Sequence, residues 1–191
     1  MKLSGNTILI TGGTAGIGFE IAKEFLARDN KVIVTGRNPE KIASMQQELP
    51  DVTVLQNDVA NSNEIDQLFD IISDTHPNIN LLINNAGVMR KINLHSYTIS
   101  LREQLRGTTV KVFELMPPGT NTELMDTFKN ELETTHLMST QAMVQRFMKG
   151  LAKNELEIRP GISNQVKFFN RLFPNYVQKQ FSKTVSSLEQ R

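Results

Sequence analysis

The chain has 191 residues, 39% of them apolar and 21% charged, with 21 Lys+Arg against 20 Asp+Glu. These values exclude a disordered or fibrous chain, and a near-neutral balance lacks the basic footprint of a dedicated nucleic-acid binder. The absence of cysteine removes disulfides, thiol nucleophiles and cysteine metal sites together.

Three scattered histidines, His76, His95 and His136, leave little for a zinc site. The first apolar run, Ile8 to Ile10, is too short for a signal-peptide core. Nothing approaches the ~18 consecutive apolar residues of a membrane span. The expectation is a cytoplasmic protein of one domain, residues 1–191, without a membrane span.

Thr7 to Ile10 is an apolar run bounded by glycines and reads as a buried strand. From Gly18 to Asp29, Phe19, Ile21, Ala22, Phe25 and Leu26 stand at helical spacing. Lys31 to Val34 is a second strand, rich in β-branched residues. Asn38 then caps a helix that has Pro39 in its first turn. Val52 to Leu55 is a third strand. Asn61 to Thr75 is a helix with Ile65, Leu68, Phe69, Ile71 and Ile72 expected on its inner side. Leu81 to Ile83 is a fourth strand.

The second half is less regular. Ser96 to Arg106 reads as a helix with Tyr97, Ile99, Leu101 and Leu105 apolar. Thr109 to Phe113 reads as a strand, ended by Pro117-Pro118-Gly119. A Met-rich amphipathic stretch follows, with Leu137, Met138, Met143, Val144, Phe147, Met148 and Leu151. Leu156 to Ile158 reads as a last short strand. The tail from Val166 to Ser182 carries Phe168, Phe169, Leu172, Phe173, Tyr176, Val177 and Phe181. Acidic side chains outnumber basic ones over residues 1–95, and the reverse holds over 96–191; a solvated surface accounts for this split.

Strands alternating with helices imply a parallel sheet with right-handed crossovers, and fully apolar strands imply helices on both faces. The expected fold class is α/β, a doubly wound parallel sheet of the Rossmann type.

Between the first strand and the first helix lies Thr11-Gly12-Gly13-Thr14-Ala15-Gly16-Ile17-Gly18. Gly12 permits a tight turn, Gly16 lets backbone approach a pyrophosphate, and Gly18 lets the helix pack on the strand. The helix start offers N–H groups and positive dipole to phosphates. A glycine pattern at a strand-to-helix switch is much stronger evidence than one in isolation.

The spacing G-x-x-x-G-x-G resembles the short-chain dehydrogenase/reductase family, whose T-G-x-x-x-G-I-G fingerprint is matched from Thr11 to Gly18. Three further motifs stand in the family's order. Asp58-Val59 follows the third strand, where the family's aspartate meets adenine. Asn84-Asn85-Ala86-Gly87 ends the fourth strand, as the family's N-N-A-G does. Pro117 to Thr122 sits where the family has P-G-x-V-x-T beside the nicotinamide, with Pro118 in place of the glycine. Loosely, the start, Pro117-Pro118 and Arg171-Leu172-Phe173-Pro174 resemble the branch named for the D-alanine-transfer operon, the DltE-like oxidoreductases.

The resemblance implies a nicotinamide dinucleotide held by Gly12, Thr14, Gly16, Ile17 and Gly18, by Arg37, Asp58 and Val59, by Asn85, Ala86 and Gly87, and by Thr120 and Thr122. An acidic side chain at the end of the second strand would favour NAD. The sequence there is Val34-Thr35-Gly36-Arg37, without a carboxylate, and Arg37 matches a 2′-phosphate. NADP is therefore expected over NAD.

The resemblance also implies a Ser, a Tyr and a Lys acting together, the last two as Y-x-x-x-K. The chain has two tyrosines. Tyr97 has Leu101 four residues on, and Tyr176 has Lys179 three residues on, so neither fits, and no catalytic residue is identified. His95 to Leu105 looks like the second half of the family's long helix, yet it begins eight residues after Gly87. A central strand and its adjoining helices, on the order of 60 residues for two βα steps, are absent.

Residues 1–94 read as the dinucleotide-binding half, and 95–191 as the remnant of a substrate half with a tail. Either these residues belong to a longer chain, or the deletion is real. In the second case Thr109–Phe113 is expected to pair beside Leu81–Ile83. The Met-rich stretch suits either a substrate lid or an ordinary core, and the tail suits core or subunit contact in a homo-oligomer.

Two functions follow. One is an NADP-dependent oxidoreductase moving hydride between nicotinamide and an alcohol or carbonyl substrate. The other is a catalytically inactive, truncated nucleotide-binding module.

Overall fold

The four apolar runs of the first half become four parallel strands: β1 (Thr7–Thr11), β2 (Lys31–Gly36), β3 (Thr53–Gln56) and β4 (Leu81–Asn84), in the order β3-β2-β1-β4. The computed structural model describes residues 1–86, 94–123 and 137–165. Gly87 and the apolar tail from Val166 lie outside them. The chain forms two units, Met1–Asn93 and Leu94–Arg191.

In the first unit β1 is central. Ile8 stands opposite Val32 on one side and Leu81 on the other, and Ile10 opposite Val34 and Ile83. Ile8, Leu9, Ile10, Val32, Ile33 and Val34 are buried, as continuous apolar runs in a parallel sheet should be. Helix α1 (Gly16–Leu26) adds Ile21, Ala22 and Phe25 to that core, and α2 (Pro39–Glu48) adds Met45. The expected cap is present: Asn38 Oδ1 accepts from the Glu40 and Lys41 amides at 2.8 and 3.2 Å.

The sheet end away from the glycine turn is closed by amides. Asn30, buried, donates through Nδ2 to the carbonyls of Phe25 (2.7 Å) and Leu3 (2.8 Å), and its Oδ1 accepts from the Asn6 amide at 3.0 Å.

Helix α3 (Ser62–Thr75) corrects one expectation. Leu68 is buried, but Ile65, Ile71 and above all Phe69 (65% exposed) are not. At ~100° per residue these side chains spread over a wide arc, and only its middle is covered. Strand β4 corrects another. It lies at the sheet edge, its residues alternate between half-buried and exposed, and Leu82 is 54% exposed.

The second unit contains α4 (Leu94–Gln104), β5 (Glu114–Leu115), α5 (Thr140–Ala152) and β6 (Glu157–Ile158). In α4 Thr98 is buried, Leu101 is half-buried, and Tyr97 and Ile99 are exposed. In α5, capped by Ser139 Oγ on the Ala142 amide at 3.2 Å, Met143, Val144, Phe147, Met148 and Leu151 are buried. With Ile158 they form this unit's core, while Leu137 and Met138 of the same stretch are half-buried.

The expected strand over 109–113 is displaced. The observed one starts at Glu114 and pairs in parallel with β6, Glu114 opposite Glu157 and Leu115 opposite Ile158, rather than with Leu81–Ile83. The Arg102 guanidinium braces the segment before β5. It donates to the Val112 carbonyl at 3.0 Å and the Leu156 carbonyl at 2.6 Å, so a side chain holds the segment where a ladder was expected.

Candidate functional site: the glycine turn and the strand ends around it

The C-terminal ends of β1 and β4 are joined by one hydroxyl. Thr11 Oγ1 accepts from the backbone amides of Asn85 and Ala86, both at 3.1 Å. The Asn85 side chain returns the contact, with Nδ2 donating to the Gly12 carbonyl at 2.8 Å. These bonds seat Asn85-Ala86 directly on the glycine turn.

Close packing there leaves no room for side chains. Gly12 and Gly16 have φ of +62° and +58°, a region L side chains rarely adopt. A Cβ on Gly12 would stand 2.7 Å from Ala86 Cα. A Cβ on Gly18 would stand 2.7 Å from the Gly12 carbonyl oxygen and 2.8 Å from Gly13 Cα, and would also strike the Asn85 amide. The Gly13 amide donates to the Thr35 carbonyl at 3.0 Å, tying the turn to β2.

Helix α1 begins without a side-chain cap. Its N-cap is Ala15, and its first turn holds no acid, whereas Asn38, Asn61 and Ser139 cap α2, α3 and α5. The first N–H groups of a helix have no partner within it, and the dipole there favours an anion. A tight cradle plus an uncapped helix start fits a pyrophosphate. Ile17 is half-buried in that first turn.

Gly36 leaves space that Thr14 fills: a Cβ on Gly36 would stand 2.7 Å from Thr14 Oγ1. Arg37 follows, exposed, with no hydrogen bond or ion pair to another described residue. On the next strand end, the Asn57 amide donates to the Gly36 carbonyl at 3.0 Å. Asp58 Oδ1 accepts from the Ala60 amide at 3.0 Å, and Val59 is exposed.

Thr120 and Thr122 belong to the second unit. Thr120 is buried, its hydroxyl donating to the Pro118 carbonyl at 2.9 Å, and Thr122 is half-buried. The loop is pinned by Met138, whose amide donates to the Gly119 carbonyl and whose carbonyl accepts from the Asn121 amide, both at 2.9 Å.

The structure therefore brings Gly12, Gly18, Asn85 and Ala86 together, and Thr14 against the tip of β2. Gly87 lies outside the described residues. Sequence reasoning missed the work of Thr11, although a hydroxyl at the last position of a strand before a glycine turn is a readable signal. It also missed Glu64, which the Asn61-x-x-Glu64 capping spacing marks. Tyr97 is 64% exposed, and Tyr176 lies outside the described residues.

A family model described as short chain dehydrogenase matches residues 6–98. The uncharacterized oxidoreductase DltE of Bacillus subtilis (strain 168) is 29% identical over 224 residues, covering 83% of this chain and 89% of its own. A short chain dehydrogenase from Burkholderia cenocepacia J2315, solved in complex with NADP, superposes with a TM-score of 0.78 at 15% identity, covering 94% of this chain and 98% of its own. A short chain dehydrogenase/reductase from Burkholderia phymatum, solved with NAD, gives 0.77 at 15% identity, covering 94% and 96%. At such identities the likeness to solved structures shows the fold.

Proposed function

Because the chain belongs to the short-chain dehydrogenase/reductase family, we propose that it binds NADP(H) at the glycine turn, as the cofactor half of a cytoplasmic oxidoreductase acting on a small alcohol or carbonyl substrate. The observation that carries the reading is the turn itself. Gly12, Gly18, Asn85 and Ala86 are packed so closely that only glycines fit at 12 and 18, beside a helix start with no side-chain cap.

The residues present fit the cofactor. The turn from Gly12 to Gly18 would hold the pyrophosphate, with Thr14 and Ile17 beside it. Asp58 and Val59 would take the adenine, and Asn85, Ala86 and Gly87 would back the nicotinamide side. What a nicotinamide dinucleotide supplies when bound is a two-electron carrier, exchanging hydride at one ring carbon. The chain's own part is to orient, and to favour one cofactor over the other. Arg37 supports NADP, being a guanidinium without a described partner at the tip of β2, where a carboxylate would favour NAD.

A second reading has its own observation. Neither tyrosine has a lysine four residues on, so a phenol with a cation beside it to move the substrate's proton is not identified. The alignment with DltE supports an internal gap: 224 residues are matched against 83% of these 191, which leaves about 65 positions without a counterpart here. A chain that ends its chemistry there is a nucleotide-binding module without turnover.

Titration with NADP and NAD tests the first reading, for the wild type and for Arg37→Ala. NADP should bind more tightly, and Arg37→Ala should lose about tenfold or more of that affinity with little change for NAD. Tighter NAD binding by the wild type would refute the assignment. Intact mass and a hydride-transfer assay separate the two readings. A mass near 21.5 kDa with cofactor binding and no turnover supports the module.

A further inference from the structure

The loop after β3 is held by a residue of the helix that follows it. Glu64 sits in the first turn of α3, three residues after its N-cap Asn61. In an ordinary capping box the acid at this position reaches back to the N-cap's own amide. Here that amide is already taken, since the Asn61 N–H donates to the Asp58 carbonyl at 2.9 Å. The Glu64 carboxylate reaches further. Its Oε2 accepts from the Asp58 amide at 2.7 Å, and its Oε1 accepts from Asn61 Nδ2 at 2.8 Å. The Glu64 carbonyl accepts from Asn57 Nδ2, also at 2.8 Å.

One residue thus fixes the turn by three bonds, and two of them are charge-assisted. On its other side, the Asn57 amide is bonded to Gly36, the residue before Arg37. The turn is clamped between α3 and the tip of β2. Asp58 spends one carboxylate oxygen on Ala60, and Val59 is left exposed. A segment so restrained presents the same surface before and after a ligand arrives, and preorganisation of this kind lowers the ordering cost of binding.

We propose that Glu64 is a positioning residue for the adenylate half of the dinucleotide. It acts by holding the Asp58 amide, and with it Asp58 and Val59, in the binding conformation. This rests on the dinucleotide reading above. The selectivity is the informative part. Loss of the clamp weakens whatever is held by the β2 and β3 ends and leaves the glycine turn, tied separately by Thr11 and Asn85, as it was.

The test compares binding of NADP, 2′,5′-ADP and nicotinamide mononucleotide by the wild type, E64A, E64Q and E64D, with hydrogen exchange at the Asp58 amide. E64A should lose about tenfold for NADP and for 2′,5′-ADP, with nicotinamide mononucleotide unchanged, and the Asp58 amide should exchange faster. E64Q should recover part of the affinity: its amide oxygen still accepts from the Asp58 N–H, while its NH2 meets a second donor, Asn61 Nδ2, and the charge is gone. E64D keeps the charge but is one methylene too short to make both contacts, so it should behave as E64A does. That variant carries the test if E64A does not fold. Wild-type affinity for 2′,5′-ADP in E64A or E64D overturns the proposal, as does an equal loss for nicotinamide mononucleotide. A wild type that binds none of the three overturns the dinucleotide reading itself.

Discussion

Replacing Gly12 by alanine adds one methyl group at the point where the glycine turn meets β4. Two costs arise and can be separated. The first is backbone strain: φ at Gly12 is +62°, and a left-handed conformation costs an L-residue roughly 1–2 kcal/mol. The second is overpacking. The new Cβ would stand 2.7 Å from Ala86 Cα and 3.0 Å from Ala86 N. Both are backbone atoms, and the Ala86 amide is fastened to Thr11 Oγ1 at 3.1 Å, so neither retreats freely. An added methylene in a packed site costs about 1–3 kcal/mol. The expected loss is therefore about 2–5 kcal/mol, out of the roughly 5–15 typical of a folded protein. Gly5→Ala is the control. Its φ is +71° but nothing stands within 4 Å of its Cβ, so it carries the strain alone. Urea denaturation of both variants gives the overpacking cost by difference, and NADP titration should show Gly12→Ala losing affinity while Gly5→Ala does not. Adding Ala86→Gly to Gly12→Ala should not restore stability, because the clash is with backbone. Equal destabilisation by Gly12→Ala and Gly5→Ala would refute the close-approach argument.

The remaining predictions concern polar groups that close the two ends of the sheet. Thr11→Val keeps the shape but strands the amides of Asn85 and Ala86, so it should destabilise by about 1–3 kcal/mol and weaken cofactor binding; denaturation and titration together check this, and unchanged values in both would show that the hydroxyl is dispensable. Asn30→Ala leaves the Asn6 amide without its acceptor and removes one of two donors to the Phe25 carbonyl, which keeps the Arg28 amide. A loss of similar size is expected in the denaturation midpoint, about 1–3 kcal/mol, with cofactor affinity kept because this end lies away from the glycine turn.

The first unit is readable because its signals are local and redundant. A β-branched run such as Lys31–Val34, a cap such as Asn38 and a glycine turn each specify one conformation by themselves. The errors fall where burial depends on partners distant in sequence. The apolar arc of α3 reads as buried, but its periodicity states only that a face exists, and what covers it is decided elsewhere. Thr109–Phe113 has strand propensity, and the ladder forms instead at Glu114, where the Leu156 carbonyl accepts both from the Glu114 amide and from Arg102, 54 residues away in sequence. Thr11 is legible as part of a fingerprint and not as a hydrogen-bonding hub, since the hydroxyl's partners lie more than seventy residues away.

The exposed surface of the first unit bears on the choice between enzyme and binding module. An unpaired edge strand is a liability that native sheets usually blunt with charge, proline, a bulge or a covering element. Strand β4 carries neither charge nor proline: its residues are Leu81, Leu82, Ile83 and Asn84, with Leu82 at the sheet edge and largely exposed. On α3, Phe69 and Ile65 are bare on the same unit. Apolar side chains at an edge are what a parallel strand has when another strand and its crossover helix are meant to cover it. One such step takes on the order of 30 residues, so two are comparable with the roughly 65 positions of the DltE alignment that have no counterpart here. On the proposed reading of an internal gap, the segment that would cover Leu82 is also the one in which the Y-x-x-x-K implied by the resemblance would stand. A chain without that segment would keep the glycine turn proposed above to hold a dinucleotide and would forgo general acid–base catalysis, a contribution of typically about 10²–10⁴ in rate. Intact mass measured alongside cofactor affinity and turnover decides between the two readings.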